Sequence, residues 1–338
     1  MTVRIGIVGV GLIGQDHARR LSHLVAGARV TAVADADPAR AGQVADALPG
    51  VRVLDTGNDV IAAGDVDAVV VTSNGPTHEE FVLAAIVAGK PVFCEKPLAP
   101  EPGACLRIIA AEQAAGRRLV QVGFMRRYDP GYRALKLQLD RGVIGAALLA
   151  HCVHRNTAAP ATFGSDMLLT DSAVHEMDIM RWLLGEEITA VSVVQPRRSG
   201  RAPDGLQDPQ LLLMQTGSGV HIDVELFVSC GFGYDIRCEV VGETGTVSLT
   251  NPAPVSLRSA GAIAEPIYAD WRDRFAGAYD TELREFVSNA AAGVVAGPSA
   301  WDGYAAAAIA EAALAARASG QRVPVVLAER PGGCELPG

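Results

Sequence analysis

Positive charge is scarce in this chain: 29 Lys and Arg stand against 38 Asp and Glu, a net charge of −9. No segment concentrates the basic residues, so there is no field to hold a phosphate backbone, and nucleic acid is not expected as a partner. Long hydrophobic runs are missing as well. With no stretch of roughly 18 apolar residues, no membrane-spanning helix is expected. The opening MTVRIGIVGVG lacks the cationic region and cleavage site of an export signal. The six cysteines (Cys94, Cys105, Cys152, Cys230, Cys238 and Cys334) include no Cys-x-x-Cys pair and are too sparse for a disulfide scaffold. They imply reduced, mostly buried thiols in a soluble cytoplasmic protein. Internal repeats, low-complexity tracts and linkers longer than a loop are also absent.

What is present is apolar and long. The 338 residues, 49% hydrophobic, exceed one comfortable core and imply two domains with a ligand cleft between them. Over residues 1–124, short apolar runs alternate with helical stretches in the rhythm of βαβ units. Strands are predicted at Val3–Val8, Arg29–Ala34, Val51–Leu54, Ala68–Thr72, Pro91–Cys94 and Leu119–Gly123. Helices are predicted at Gln15–Val25, Pro38–Ala47, Thr77–Ala88 and Pro102–Ala115, with Gly89 and Gly116 at left-handed stops. This is the α/β layout of a doubly wound parallel sheet. From residue 125 to 338 the period changes to apolar/polar alternation, as in Val220–Val228 and Asp235–Val241. Thr216–Gly219 and Gly242–Gly245 read as hairpin turns. The expectation is an α+β domain with a large, mostly antiparallel open sheet and helices near Pro130–Arg141, Ala173–Leu184, Tyr279–Ala291 and Trp301–Ala318. The exposed face of that sheet, with Val224 and Leu226 alternating against polar neighbours, is expected to bury itself against another copy.

Gly9-Val-Gly11-Leu-Ile-Gly14 follows the first strand and opens the first helix, as a dinucleotide-binding turn requires. Helix N-termini favour the negative pyrophosphate. Asp35 ends the second strand at the spacing expected of the acid that binds ribose hydroxyls and repels a 2′-phosphate. NAD is therefore expected over NADP. Asp37 reads as the start of the next helix, and Arg40 as an exposed helix residue, with a 2′-phosphate contact as its alternative.

Lys96, in Glu95-Lys96-Pro97, lies at the carboxyl end of the fifth predicted strand, where open parallel sheets place ligands. Its ammonium suits a substrate oxygen and the nicotinamide ribose. Asp171-Ser-Ala-Val-His175 sets carboxylate and imidazole on one face of a helix start, and alcohol oxidation needs a base that titrates near working pH. The plainer readings are a helix cap for Asp171 and a core imidazole for His175. His151 and His154 face opposite sides of a strand, and His175-Glu-Met-Asp178 departs from the His-Glu-x-x-His zinc pattern, so no metal is expected.

Together, Gly9–Gly14, Glu95-Lys96-Pro97 and Asp171-x-x-x-His175 resemble the family of glucose–fructose oxidoreductases, inositol dehydrogenases and rhizopine catabolism enzymes. Val122–Tyr132, His151–Asn156 and Gly233-Tyr234-Asp235 resemble its inositol-oxidising members, as does Asp270–Phe275, which reads equally as a loop packing on the cofactor domain, so the likeness covers nearly the whole chain. The resemblance implies His175 as general acid/base, Asp171 as its proton relay, and Lys96 as the group that polarises the substrate oxygen. It also implies a polyol pocket of Lys96, Met125, Arg126, His154, Asn156 and Tyr234, with Asp171, Ser172 and His175. Cofactor contacts are implied for Leu12, Ile13, Ser73, Asn74, His78, Glu95 and Lys96 beside the three glycines and Asp35. Serine at 172, where related inositol enzymes often carry threonine, leaves stereoisomer preference open. The implied reaction is NAD-dependent oxidation of one secondary hydroxyl of a cyclic polyol, myo-inositol to scyllo-inosose, by a homotetramer. Another inositol isomer, glucose or an amino-sugar precursor remains open as substrate, as does NAD-dependent glycoside hydrolysis.

Overall fold

Runs of valine, isoleucine and alanine too short for helices become six parallel strands. In the computed structural model, which describes residues 2–250 and 255–332, these are β1 (Val3–Val8), β2 (Ala28–Ala34), β3 (Arg52–Val53), β4 (Ala68–Val71), β5 (Val92–Glu95) and β6 (Val120–Gly123). Their order is β3-β2-β1-β4-β5-β6, the arrangement of a doubly wound sheet. The central strands β4 and β5 are buried along their whole length, which requires apolar residues on both faces.

The intervening helices are α1 (Leu12–His23), α2 (Pro38–Ala47), α3 (Gly57–Ala62), α4 (His78–Val87) and α5 (Pro102–Ala115). Asp37 accepts the Ala39 amide at 3.0 Å and Pro38 fills the first turn, so α2 begins where predicted. Thr56 and Asp59 form a reciprocal capping box that starts α3, a helix not predicted. Gly89 and Gly116 adopt φ of +67° and +68° behind α4 and α5, as their positions require.

The later chain supplies α6 (Pro130–Asp140), β7 (Ala147–Arg155), a π-helical turn at Leu168–Ser172, α7 (Val174–Leu184), β8 (Ile188–Val194), β9 (Gln210–Thr216), β10 (His221–Phe227), β11 (Asp235–Gly242) and β12 (Thr246–Ser248). A small hairpin of β13 (Leu257–Ser259) and β14 (Ala262–Ala264) precedes α8 (Trp271–Arg274), α9 (Ala276–Ala291), α10 (Ala300–Ser319) and β15 (Val323–Pro324). The second sheet runs β12-β11-β7-β10-β9-β8-β15. Both predicted hairpins occur, joining β9 to β10 and β11 to β12. One pair, β7 with β10, is parallel, because α7, β8 and β9 intervene before the chain returns. The sheet is therefore mixed, though mostly antiparallel.

The face of β10 expected to be open is the closed one. Val224 and Leu226 are fully buried, whereas His221, Asp223, Glu225 and Phe227 alternate on the other side. A period of two separates the faces without saying which meets the core, and here the apolar face turned inward. On the open face the charges pair across strands, Asp223 with His151 at 2.5 Å and Glu225 with Arg155 at 2.6 Å.

The chain divides into two compact units, and the division is not a single cut. Tyr279–Ala307 belongs with the residues up to Met125, whereas Arg126–Ala278 and Ala308–Glu329 form the second unit. The contiguous second domain read from sequence, 125–338, thus differs from the observed grouping. The reason is the core: Leu283, Phe286 and Val287 of α9 join Ile5, Ile7 and Phe93 in one buried cluster. Phe286 meets Phe93 edge-on at 5.7 Å. Among the described residues no helix is long and apolar enough to cross a membrane. Cys94, Cys105, Cys152, Cys230 and Cys238 are free and buried, while Cys334 lies outside the described residues.

Candidate active site

The glycine turn explains itself position by position. Gly9 has φ of +87°, and a Cβ there would stand 2.5 Å from the Ser73 backbone. At Gly14 a Cβ would lie 2.2 Å from the Gly9 carbonyl oxygen, so the close packing of helix on turn requires hydrogen. Gly11 differs: a Cβ there would meet nothing within 4 Å of protein. No packing reason keeps a side chain out at that position; the close approach of a ligand is the remaining one. Behind it, α1 begins without a side-chain cap or an acid in its first turn, leaving its amides and positive dipole end to an anion. Leu12, 65% exposed, stands beside Ile13 in that turn.

A cavity of about 580 Å³ opens next to these glycines, with Asp35, Arg40, Thr56, Asn74 and Phe81 among its walls. Asp35 is held in place by the Val10 amide at 2.6 Å and the Asp37 amide at 2.9 Å. Arg40 reaches Asp35 at 3.3 Å and Asp37 at 3.7 Å, so two carboxylates already share its charge, which disfavours a 2′-phosphate role. This donor and acceptor set fits NAD: an open amide cradle for pyrophosphate and a fixed carboxylate for ribose. Thr56 and Phe81 were not foreseen, because their signal is spatial. They lie 20 and 45 residues beyond Ala36, the end of the Val33–Ala36 segment, on a helix cap and a helix face.

The loop bearing Lys96 is braced by two histidines of the same unit. His17 is wholly buried with its Nε2 at 2.7 Å from Glu95 Oε1, and the Lys96 amide donates to Glu95 Oε2 at 3.1 Å. The Glu95 carboxylate is thereby engaged within the protein. His78 places Nδ1 at 2.8 Å from the Pro97 carbonyl and Nε2 at 2.9 Å from the Ser73 carbonyl. Burial pushes the His78 imidazole down, against the two carbonyls that draw it up. Expected as a cofactor contact, His78 has both ring nitrogens within reach of backbone carbonyls, of which a neutral ring donates to one, and so sits between the Lys96 loop and Ser73. The Ser73 hydroxyl lies 2.7 Å from that of Thr77.

In the second unit, the segment from Asp171 to His175 is not one helix. The Ala173 amide donates to the Leu168 carbonyl five residues back, so Asp171 and Ser172 sit on a π-helical turn and His175 at the start of α7. The N-cap position of α7 is Ala173, so Asp171 does not occupy the cap position expected of it. His175 lies near His154, ring centroids 6.3 Å apart, and His154 meets Tyr234 edge-on at 6.2 Å. Burial pushes the Tyr234 hydroxyl up to about 12. Arg126, buried, pairs with Glu176, and Glu176 Oε2 also lies 3.0 Å from His154 Nδ1. Sequence reasoning missed Glu176, since its partners lie 50 and 22 residues away. Asn156 follows β7, and among the described residues its buried Oδ1 has no hydrogen-bond partner, as is true of Arg126 Nε. Met125 is buried at the end of the first unit. His151 and His154 do fall on opposite faces, one exposed and one buried, and among the described residues no cluster of three metal-type side chains occurs.

Comparison with known proteins assigns both parts of the chain. Residues 3–124 match the Gfo/Idh/MocA oxidoreductase family's NAD-binding Rossmann fold, and residues 136–325 match its C-terminal alpha/beta domain. Inositol 2-dehydrogenase 3 of Saccharopolyspora erythraea is 58% identical over 98% of each chain, and inositol 2-dehydrogenase of Ralstonia nicotianae is 54% identical over the same shares. The crystal structure of myo-inositol dehydrogenase from Lactobacillus casei, in complex with NAD(H) and myo-inositol, is 38% identical with a TM-score of 0.95, covering 98% of this chain and 99% of that one. Scyllo-inositol dehydrogenase from the same organism, with NAD(H) and scyllo-inositol bound, is 27% identical with a TM-score of 0.88, over 96% and 99%. On the glycine turn, the fixed Asp35 and these full-length matches, the chain belongs to the Gfo/Idh/MocA oxidoreductases, enzymes that carry NAD on a Rossmann fold.

Proposed function

We propose that this protein oxidises one secondary hydroxyl of a free inositol ring, with myo-inositol as substrate and scyllo-inosose as product. The observation that carries the reading is the polar cluster of the second unit: His175 beside His154, with Arg126, Tyr234 and the unpartnered Asn156 oxygen. A ring with a hydroxyl on every carbon needs such a lining, since each buried hydroxyl left unpaired weakens binding. The names of relatives at 58% and 54% identity point the same way.

NAD, when bound at the glycine turn, supplies the acceptor for the hydride lost from the carbinol carbon. The imidazole of His175 takes the hydroxyl proton, and the Asp171 carboxylate stabilises the imidazolium so formed. The Lys96 ammonium polarises the substrate oxygen as it becomes a carbonyl. Met125, Ser172, Asn156 and Tyr234 seat the ring. The enzyme acts in inositol catabolism in the cytoplasm as a homotetramer, a setting consistent with free, buried thiols.

A panel of inositol isomers and glucose, each with NAD and with NADP, tests the assignment by NADH or NADPH absorbance. Myo-inositol with NAD is expected to give the highest kcat/KM, and His175→Ala to lower kcat by at least about a hundredfold with folding intact. Undiminished turnover in that variant removes His175 from the mechanism. Turnover of a glycoside without net NADH would instead place the enzyme among NAD-dependent glycosidases.

A further inference from the structure

Glu176 contacts two members of the polar cluster, Arg126 and His154, and has no place in the proposed chemistry. It is buried with both carboxylate oxygens engaged: Oε1 by Arg126 Nη1, and Oε2 by His154 Nδ1 at 3.0 Å. His154 is on the face of β7 that turns inward, two residues from Cys152 and paired with Ile236 of β11, and it is buried there.

We infer that Glu176 fixes the tautomer of His154, making its Nε2 a hydrogen-bond acceptor that reads a substrate hydroxyl as a donor. Two contacts compete for Nδ1. Glu176 Oε2 lies at 3.0 Å and needs a proton on Nδ1, whereas Arg126 Nη2 lies at 3.3 Å and needs a lone pair there. Both contacts are charge-assisted, but the one to Glu176 is shorter, and the Arg126 charge already has its partner in Glu176 Oε1, so the carboxylate contact prevails. Glu176 is an anion: burial alone would raise its pKa, but the Arg126 guanidinium and the hydrogen bond with His154 outweigh burial and hold it low. A carboxylate accepts only, so Nδ1 donates, and the neutral ring keeps its lone pair on Nε2.

Arg126, with its charge met by Glu176, then serves as a neutralised donor and not as an anchor for an anion. The ligand class that suits this lining is an uncharged ring offering a free hydroxyl hydrogen at the position facing His154; a methyl ether there has none to offer. Glu176 is thus a positioning residue, acting on substrate through His154. The inference rests on the reading of His154 as a substrate contact.

Magic-angle spinning spectra of protein labelled with ¹⁵N only in its seven histidines report the tautomer directly, the His154 signal being assigned by its loss in His154→Gln. The expected result above neutral pH is a proton on Nδ1. In Glu176→Gln that preference is lost, KM for the oxidised inositol rises about tenfold, and kcat and NADH affinity change far less. Glu176→Asp, which keeps a carboxylate, restores much of the lost preference. A proton on Nε2 in the unaltered protein overturns the inference, as does an unchanged KM in a Glu176→Gln protein whose tautomer has switched. If Glu176→Gln does not fold, the spectrum of the unaltered protein decides alone. If no inositol is oxidised at all, the functional assignment falls while the tautomer measurement still stands.

Discussion

Asp35 shows how one carboxylate sets cofactor choice. Two backbone amides hold it at the end of β2, and it shares Arg40 with Asp37. Replacing it removes the repulsion toward a 2′-phosphate and frees part of the Arg40 charge to meet one. Asp35→Ser is therefore expected to raise KM for NAD and lower KM for NADP, moving the ratio of their kcat/KM values by on the order of tenfold or more. Initial rates with both cofactors measure this, and an unchanged ratio removes Asp35 from discrimination. Asp35 was legible in the sequence because its distance from the glycines is a local, countable spacing. Glu176 was not, for it is one of 38 acidic residues and only folding brings Arg126 and His154 against it.

Among the elements, the turn from β1 to α1 separates packing from ligand binding more cleanly than any other. Gly14 is required by the protein itself, whereas a Cβ at Gly11 touches nothing. Gly11 also has φ of −67°, open to any residue. Gly11→Ala is expected to leave the melting temperature of the free protein within about 1–2 °C, yet to weaken NAD binding at least about tenfold. Thermal melts and NADH fluorescence titrations give the two numbers, and unchanged NAD affinity would mean that the cofactor does not approach that backbone. Element types were legible wherever a period ran long enough. The short α3 escaped, although Thr56 and Asp59 carry its capping signal. The π-helical turn at Leu168–Ser172 also escaped, since no periodicity announces one extra residue in a turn.

For the molecule as a whole, the correction at β10 redirects the question of assembly. Val224 and Leu226 are committed to the core, and the open face offers paired charges beside partly exposed apolar residues such as Leu149 and Leu213. If the protein is a homotetramer, light scattering will return four times the 35.2 kDa chain mass. Leu213→Asp on the open face is the companion variant, expected to reduce that mass if this face is the interface; a monomer in the unaltered protein ends the tetramer proposal.

The amino-acid sequence by itself determined the parallel sheet, the glycine turn, the acid at the end of β2 and the presence of two sheets of different kind. Each of these is written in neighbouring residues: a period of two or 3.6, a cap, a spacing. Tertiary structure alone decided which side of β10 faces inward, that α9 completes the core of the first unit, and that Glu176 gathers Arg126 and His154. Alternation marks two faces without naming the buried one, and a contact across 50 residues leaves no local trace.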